Sequence, residues 1–140
     1  MNSLLQPYIF LVDDDEDDHF LVQQVFNQYN PRCRFTSFLN GAELLRALDE
    51  AIQLPTLILL DLNMPNMSGF EALHLLRQQS RYDAVPIVIL TTSDLDSDRQ
   101  QAAALKANGF FTKPSSLEQM NQIVLQLQRD WLRDKQRAHS

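Results

Sequence analysis

The sequence predicts one α/β domain built on a mostly parallel sheet with helices on both of its faces. Its 140 residues are the length of one ordinary domain, and a composition of 44% hydrophobic and 21% charged residues is typical of a folded globular protein. Five short apolar runs alternate with five longer amphipathic segments, which is the pattern of parallel strands joined through helices. We expect the domain to span residues 7–131, with short tails at residues 1–6 and 132–140.

Each predicted strand is a short run rich in apolar residues. The first, third and fourth runs are almost wholly apolar and therefore suit strands that are buried on both faces. The second run is more polar, so we expect it at an edge of the sheet. The five predicted strands lie at residues 8–12, 33–38, 57–60, 87–90 and 110–112.

The segments that follow the strands repeat apolar residues at helical spacing. We expect the first helix to begin at Asp17 or Asp18, because carboxylates favour the positive end of a helix dipole. Ser68 is the expected cap of the third helix, and residues 108–109 are expected to form a left-handed cap after a fourth helix at residues 97–107. The last helix carries an apolar face made of Leu117, Met120, Ile123, Val124, Leu127 and Trp131.

The negative charge of the chain is concentrated in one place. The net charge is -6, and residues 13–18 are six consecutive acids. Without them, 12 acidic side chains balance 12 basic ones. The sequence pI is near 4.9, so a basic face for binding nucleic acid is not expected.

Several other classes of protein are disfavoured by composition. A single cysteine, Cys33, cannot form an internal disulfide framework, and the three histidines are scattered. No apolar run approaches the roughly 18 residues that cross a bilayer, and residues 1–7 lack the features of a secretory signal. We therefore expect a cytoplasmic protein with no membrane partner.

Polar side chains stand where the predicted strands end. Asp13 and Asp14 follow the first strand, Asp61 the third, Thr91 the fourth and Lys113 the fifth. In open parallel sheets, ligands bind beyond the carboxyl ends of the strands, at the point where the winding reverses. In the flavodoxin-like strand order 2-1-3-4-5, strands one and three would be neighbours about 4.8 Å apart, so the three carboxylates would converge.

Such a cluster of acids favours a bound cation. Neighbouring carboxylates raise one another's pKa unless positive charge compensates them. Hard oxygen ligands on short side chains suit Mg²⁺, which keeps several water ligands that a phosphate can replace. Lys113 and the Thr91 hydroxyl would add a positive charge and a hydrogen-bond donor, so the arrangement predicts an aspartate that accepts a phosphoryl group.

Five motifs lie in order and at suitable spacing along the chain, at residues 10–14, 59–65, 68–69, 90–92 and 112–114. Together they resemble the receiver domain of bacterial two-component response regulators. The resemblance runs from about Pro7 to Trp131. Residues 85–93 and the lack of an output domain are most similar to the stand-alone regulators that serve bacterial phytochromes.

The resemblance implies a role for each acid at the site. Asp61 would be the phosphoacceptor, attacking the phosphohistidine of a sensor histidine kinase or phosphotransfer protein. Asp14 would bind Mg²⁺ directly and Asp13 through water, and the backbone carbonyl of Asn63 would complete the protein ligands. Asn63 and Ser93 would flank the approach of water and tune hydrolysis of the aspartyl phosphate.

The resemblance also implies how a signal would leave the site. Lys113 would pair with the phosphoryl oxygens, and Thr91 would move toward them. Phe110 occupies the aromatic switch position, often tyrosine in the family, and lacks the hydroxyl that would hold an inward state. The Lys113–Pro114 peptide bond would be cis, which proline permits at about 0.5–1 kcal/mol. The output would be altered binding to a target protein or to a second copy of the chain.

Two other functions compete with this interpretation. A phosphatase or phosphotransferase of the haloacid dehalogenase type would need an acid two residues after its nucleophile, where this chain has Asn63. A flavin- or nucleotide-binding protein would need a loop that cradles phosphate, where this chain has six acids. The remaining acids of that run, residues 15–18, are interpreted as a solvated helix start, and His19, His74 and Cys33 are assigned no role.

Overall fold

The computed structural model describes residues 6–132. The strands are β1 (Tyr8–Val12), β2 (Arg34–Phe38), β3 (Leu57–Leu60), β4 (Ile87–Thr91) and β5 (Gly109–Thr112). The helices are α1 (Glu16–Tyr29), α2 (Gly41–Glu50), α3 (Gly69–Arg77), α4 (Asp96–Ala104) and α5 (Leu117–Leu127). A short 3-10 turn at Ser80–Tyr82 follows α3, and a π-helical turn at Gln128–Leu132 extends α5.

The five strands form one parallel sheet in the order β2-β1-β3-β4-β5. The predicted flavodoxin-like α/β fold and strand order are thus confirmed. Val12 of β1 lies opposite Leu60 of β3, so these two strands end at the same level. The residues that follow them, Asp13 and Asp61, are therefore neighbours at the carboxyl edge of the sheet.

The two faces of the sheet bury two separate cores, because successive side chains of a strand point to opposite faces. One core packs α2, α3 and α4 against alternate strand residues such as Val12, Leu60 and Ile89. The other packs α1 and α5 against the intervening residues, such as Leu11 and Leu90. Burying one such aliphatic side chain stabilises the fold by roughly 1.5–3 kcal/mol, which holds the strand ends in place.

Two predicted helix ends differ from those observed. Asp15, rather than Asp17 or Asp18, caps α1, and its side chain accepts a hydrogen bond from the backbone of Asp17. The left-handed residue after α4 is Lys106, with φ 71°, whereas the expected cap at residues 108–109 is wrong. The side chain of Asn108 instead contacts the start of β4, where its Oδ1 accepts a hydrogen bond from the backbone N–H of Ile87 at 2.8 Å.

The expected tails at residues 1–6 and 132–140 lie almost entirely outside the described residues, so the domain boundaries stay a prediction. Within residues 6–132, no helix combines the length and apolar character needed to cross a bilayer.

Candidate functional site

Three carboxylates meet at the carboxyl edge of the sheet. One carboxylate oxygen from each of Asp13, Asp14 and Asp61 lies within 4.8 Å of the others. Asp13 and Asp61 are buried, with 8% and 6% of their surface exposed, while Asp14 is open to solvent. Acidic oxygens at this spacing, with one open side, fit a hard divalent cation that also keeps water or phosphate oxygens.

Lys113, the residue after β5, reaches across the sheet edge to these acids. Its Nζ donates to Asp13 Oδ2 at 2.6 Å, to Asp18 Oδ2 at 2.7 Å and to Asp61 Oδ2 at 3.2 Å. An ammonium group has three donors, and here each meets one carboxylate. The backbone N–H of Lys113 donates to the carbonyl of Thr91 at 2.6 Å, which places the lysine at the end of the sheet.

The backbone orients the two buried carboxylates. Oδ1 of Asp61 accepts from the N–H of Leu62 at 2.7 Å, and Oδ1 of Asp13 accepts from the N–H of Asp15 at 2.9 Å. The Oδ2 atom of each carboxylate is the one that faces the Lys113 ammonium. The Oδ2 atoms are thus the ones turned toward whatever cation or phosphoryl group enters.

Burial and charge act against each other in this cluster. Burial raises the pKa of Asp13 to about 6, and the hydrogen bond from Lys113 opposes it only in part. Burial would lower the pKa of Lys113, but hydrogen bonds to Asp13 and Asp18 outweigh it and raise that pKa above its ordinary value. The lysine therefore stays charged, and one ammonium faces more negative charge than it can neutralise.

A glycine allows α3 to lie directly against the Asp61 loop. The N–H of Gly69 donates to the carbonyl of Leu62 at 3.0 Å, and Ser68 caps the helix in a reciprocal arrangement with Glu71, as the sequence predicts for Ser68. A Cβ atom at Gly69 would collide with the carbonyl oxygen of Asp61 and approach Leu62 Cα to 2.8 Å. Only glycine permits this contact without moving the backbone that carries Asp61.

The two predicted switch residues lie on the same face of the sheet. Thr91 ends β4 and is fully buried, and its Oγ1 is 3.4 Å from the N–H of Ser93. Phe110 is half-buried in the core beneath α4. The Arg99 guanidinium lies over its ring, 4.6 Å from the centroid, and donates to the carbonyl of Phe110 at 3.3 Å.

The other two predicted residues flank the site. Asn63 is exposed, two positions after Asp61. The Ser93 hydroxyl donates to Asp98 at 2.6 Å, and the Ser93 carbonyl accepts from Thr112 Oγ1 at 3.0 Å, so this loop is tied to both α4 and β5.

Two residues at the site were missed by sequence reasoning. Asp18, interpreted as part of a solvated helix start, hydrogen-bonds to Lys113. His19, assigned no role, is buried and donates from Nε2 to the backbone carbonyl of Asp13 at 2.7 Å. The cap at Asp15 lies two or three residues before the expected start, so Asp18 belongs to the first turn of α1. The sequence signal for this was Asp15 itself, a good cap residue that the acidic run concealed.

The Lys113–Pro114 peptide bond is trans, as are the other peptide bonds among residues 6–132, so the expected cis isomer is wrong. The trans form of an X–Pro bond is favoured by about 0.5–1 kcal/mol, a difference too small for the dipeptide alone to decide the isomer.

A parallel α/β sheet with acids and a lysine at its carboxyl edge defines an aspartyl phosphoacceptor domain rather than a nucleotide-binding one. Comparison with known families agrees. The model of the response regulator receiver domain matches residues 9–125, so the chain belongs to this family. Its function is phosphoacceptor signalling, and the haloacid dehalogenase alternative receives no support.

Individual relatives give the same picture. The chain is 30% identical to the probable methanogenesis regulatory protein FilR2 of Methanothrix harundinacea over 90% of this chain and 84% of that protein. It is 30% identical to the response regulator Rcp1 of a Synechocystis species over 89% of this chain and 88% of that one. A structure of the Mn²⁺-bound form of Rcp1 superposes with a TM-score of 0.81, at 30% identity, over 90% of this chain and 94% of that one. The phosphorylated cyanobacterial phytochrome response regulator RcpA gives 0.84, at 30% identity, over 91% and 94% of the two chains.

Proposed function

We propose that Asp61 accepts a phosphoryl group from the phosphohistidine of a sensor histidine kinase or phosphotransfer protein. The observation that carries this proposal is the convergence of Asp61 with Asp13 and Lys113, whose Nζ lies 3.2 Å or less from an oxygen of each. Receiver domains interact with such donors, and the structure of phosphorylated RcpA supports acceptance of the group by this fold.

In the transfer, an Asp61 carboxylate oxygen forms a bond to phosphorus as the bond from phosphorus to the donor histidine nitrogen breaks. The nitrogen keeps the electron pair of that bond. The transferred group adds about −1.5 to −2 charge and three acceptor oxygens to the site. Lys113 compensates part of this charge by turning donors from its carboxylates to the phosphoryl oxygens.

The acidic group fits a divalent cation, and we propose Mg²⁺ as that ion. Asp13, Asp14 and Asp61, together with the backbone carbonyl of Asn63, would hold it, and bound Mg²⁺ would supply positive charge against the phosphoryl oxygens. Receiver domains bind divalent metals at acidic residues, and the Mn²⁺-bound form of Rcp1 supports a divalent site in this fold.

Phosphorylation would change the protein surface by moving first Thr91 and then Phe110. A phosphoryl group on Asp61 offers an acceptor to the Thr91 hydroxyl, whose one hydrogen bond among residues 6–132 is a long contact from the backbone N–H of Ser93. Movement of Thr91 opens space on the sheet face that Phe110 shares. Inward rotation of Phe110 would give up its stacking with Arg99 and change the surface of α4 and β5.

We expect that changed surface to bind a target protein or a second copy of the chain, in the cytoplasm, without nucleic acid or membrane contact. We propose no activity on a separate substrate, because the chemistry is confined to Asp61 gaining and losing its phosphoryl group.

Intact-mass measurement after treatment with phosphoramidate and Mg²⁺ tests the proposal. We expect one phosphoryl adduct, which Asp61→Asn and chelation of Mg²⁺ both abolish. Asp49→Asn, on the exposed side of α2, is the matched control and should react like the native protein. An adduct of unchanged yield on the Asp61→Asn protein would refute the assignment of Asp61.

A further inference from the structure

Lys113 has two kinds of carboxylate partner. Asp13 and Asp61 also belong to the group of three acids that can share a metal ion. Asp18 does not belong to any such group within residues 6–132, yet its Oδ2 is only 2.7 Å from Lys113 Nζ. The Asp18 side chain is 32% exposed, whereas that of Lys113 is 11% exposed. Asp18 is therefore the most exposed of the three carboxylates that contact the ammonium.

The ammonium and a divalent cation would share the carboxylates of Asp13 and Asp61. The Oδ1 atoms of these residues accept backbone hydrogen bonds, and the Oδ2 atoms face Lys113. Positive charges on the same carboxylates repel one another strongly in a partly buried site. A cation bound to the acidic group therefore favours withdrawal of Nζ from Asp13 and Asp61, and Asp18 is the partner that Lys113 can keep.

Helix α1 holds Asp18 in place for this task. Asp15 caps the helix, and the backbone N–H of Asp18 donates to the carbonyl of Asp15 at 3.1 Å. Asp17, the preceding residue, is exposed and has no contact with Lys113 in the described hydrogen bonds and ion pairs. Two adjacent acids of one helix turn thus carry the same charge, but only Asp18 of the two contacts the lysine and is partly buried.

We propose that Asp18 is a positioning residue that anchors Lys113 at the site while Asp13 and Asp61 hold a divalent cation. Asp18 compensates the positive charge of the anchored ammonium, so the ammonium repels the metal ion less than an unpaired one would. After phosphorylation, the same anchor keeps Lys113 within reach of the phosphoryl oxygens. This part of the inference rests on the proposed function.

Calorimetric titration of the unphosphorylated full chain with Mg²⁺ alone tests the anchor. We expect Asp18→Asn to raise the Kd for Mg²⁺ by roughly tenfold or more, the effect of one hydrogen bond to a charged group. Asp17→Asn, the matched control for charge at the helix start, should change the Kd less than about twofold. Asp18→Glu keeps the charge and should recover part of the affinity.

A spectroscopic measurement separates positioning from a general effect of charge or folding. The NMR signal of the Lys113 ammonium should persist at saturating Mg²⁺ in the native protein and in Asp17→Asn, because Asp18 slows its proton exchange. Asp18→Asn should lose that signal. Asp18→Ser, which keeps a good residue for a helix start, serves the same purpose if the asparagine variant does not fold.

Equal Mg²⁺ affinities of the Asp18→Asn and Asp17→Asn proteins would overturn the inference, as would an ammonium signal that persists in Asp18→Asn at saturating Mg²⁺. Neither measurement uses a phosphodonor. Failure of the anchor is therefore distinct from failure of Asp61 to form an adduct, which the mass measurement reports.

Discussion

The two ends of the sheet each hold a partly buried cation, and the two are compensated in different ways. At the carboxyl end, Lys113 faces three carboxylates. At the amino end, Arg77 donates to four uncharged oxygens at 2.7–3.0 Å: the carbonyls of Tyr82, Val85 and Lys106 and the side-chain amide of Asn108. Burial lowers the pKa of Arg77, and the charge of Asp83 opposes that shift.

The carboxyl end of the sheet is the end whose contacts can change. The carbonyl and amide oxygens around Arg77 carry no net charge that a proton, a metal ion or a phosphoryl group would change, so we expect the Arg77 contacts to keep one arrangement. The carboxylates around Lys113 can be shared with a metal ion or modified, so their hydrogen bonds can be redistributed. The Arg77 contacts, which use neutral acceptors, therefore hold the fold together, whereas the Lys113 contacts, which use charged acceptors, can act in a switch.

The largest effect on stability is expected at the amino end. Arg77→Ala would leave several partly buried acceptors unpaired and should lower the free energy of unfolding by about 3 kcal/mol. Urea denaturation measures the change, with Arg46→Ala on the exposed side of α2 as the control. Phosphorylation of the folded Arg77→Ala fraction should be retained, and its loss would break the proposed division between the two ends.

Metal addition should act on the carboxyl end alone. At a Mg²⁺ concentration about a hundred times its Kd, the free energy of unfolding should rise by about 2.7 kcal/mol. The gain should be the same in the Arg77→Ala protein and strongly reduced in Asp13→Asn. Thermal unfolding with and without a chelator measures it, and a gain that survives in Asp13→Asn would place the metal elsewhere.

Gly69→Ala should be destabilising because the backbone at Asp61 and Leu62 leaves no room for a Cβ atom. The added methyl group meets backbone atoms of the Asp61 loop, so we expect a loss of roughly 1–3 kcal/mol and slower phosphorylation. Gly41→Ala is the matched control, because there the new Cβ would meet side-chain atoms rather than backbone, those of Met67 at 3.1 Å and the Cβ of Ala72 at 3.3 Å. Equal stabilities of the two variants in urea would contradict this account.

The smallest effect is expected at Lys106, whose left-handed backbone costs about 1 kcal/mol for a residue with a Cβ atom. Lys106→Gly should raise the free energy of unfolding by about 0.5 kcal/mol or less, because the entropy of glycine in the unfolded chain offsets part of the relieved strain, and it leaves the carbonyl available to Arg77. Lys106→Ala should bring no such gain. Equal denaturation midpoints for the glycine and alanine variants would show that the conformation is not strained.

The parallel sheet could be predicted from features that lie along the chain, and the meeting of Asp13, Asp14, Asp61 and Lys113 followed once the flavodoxin-like strand order was assumed. Apolar runs separated by helices specify a parallel sheet, and parallel strands all end at one edge. A residue directly after a buried strand can therefore be placed without knowledge of any helix packing.

Only the tertiary structure decided the positions of Asp18, His19 and Arg77. Where a helical side chain points depends on the rotation of the helix about its axis, because successive residues differ by about 100° and the buried residues fix that rotation. The packing of α1 directs Asp18 to Lys113, and the packing of α3 directs Arg77 to carbonyls of distant loops. The positions of the acids at the site follow from the order of strands along the sequence. The partners of Lys113 and Arg77 depend on how the helices are rotated and packed, which no local pattern encodes.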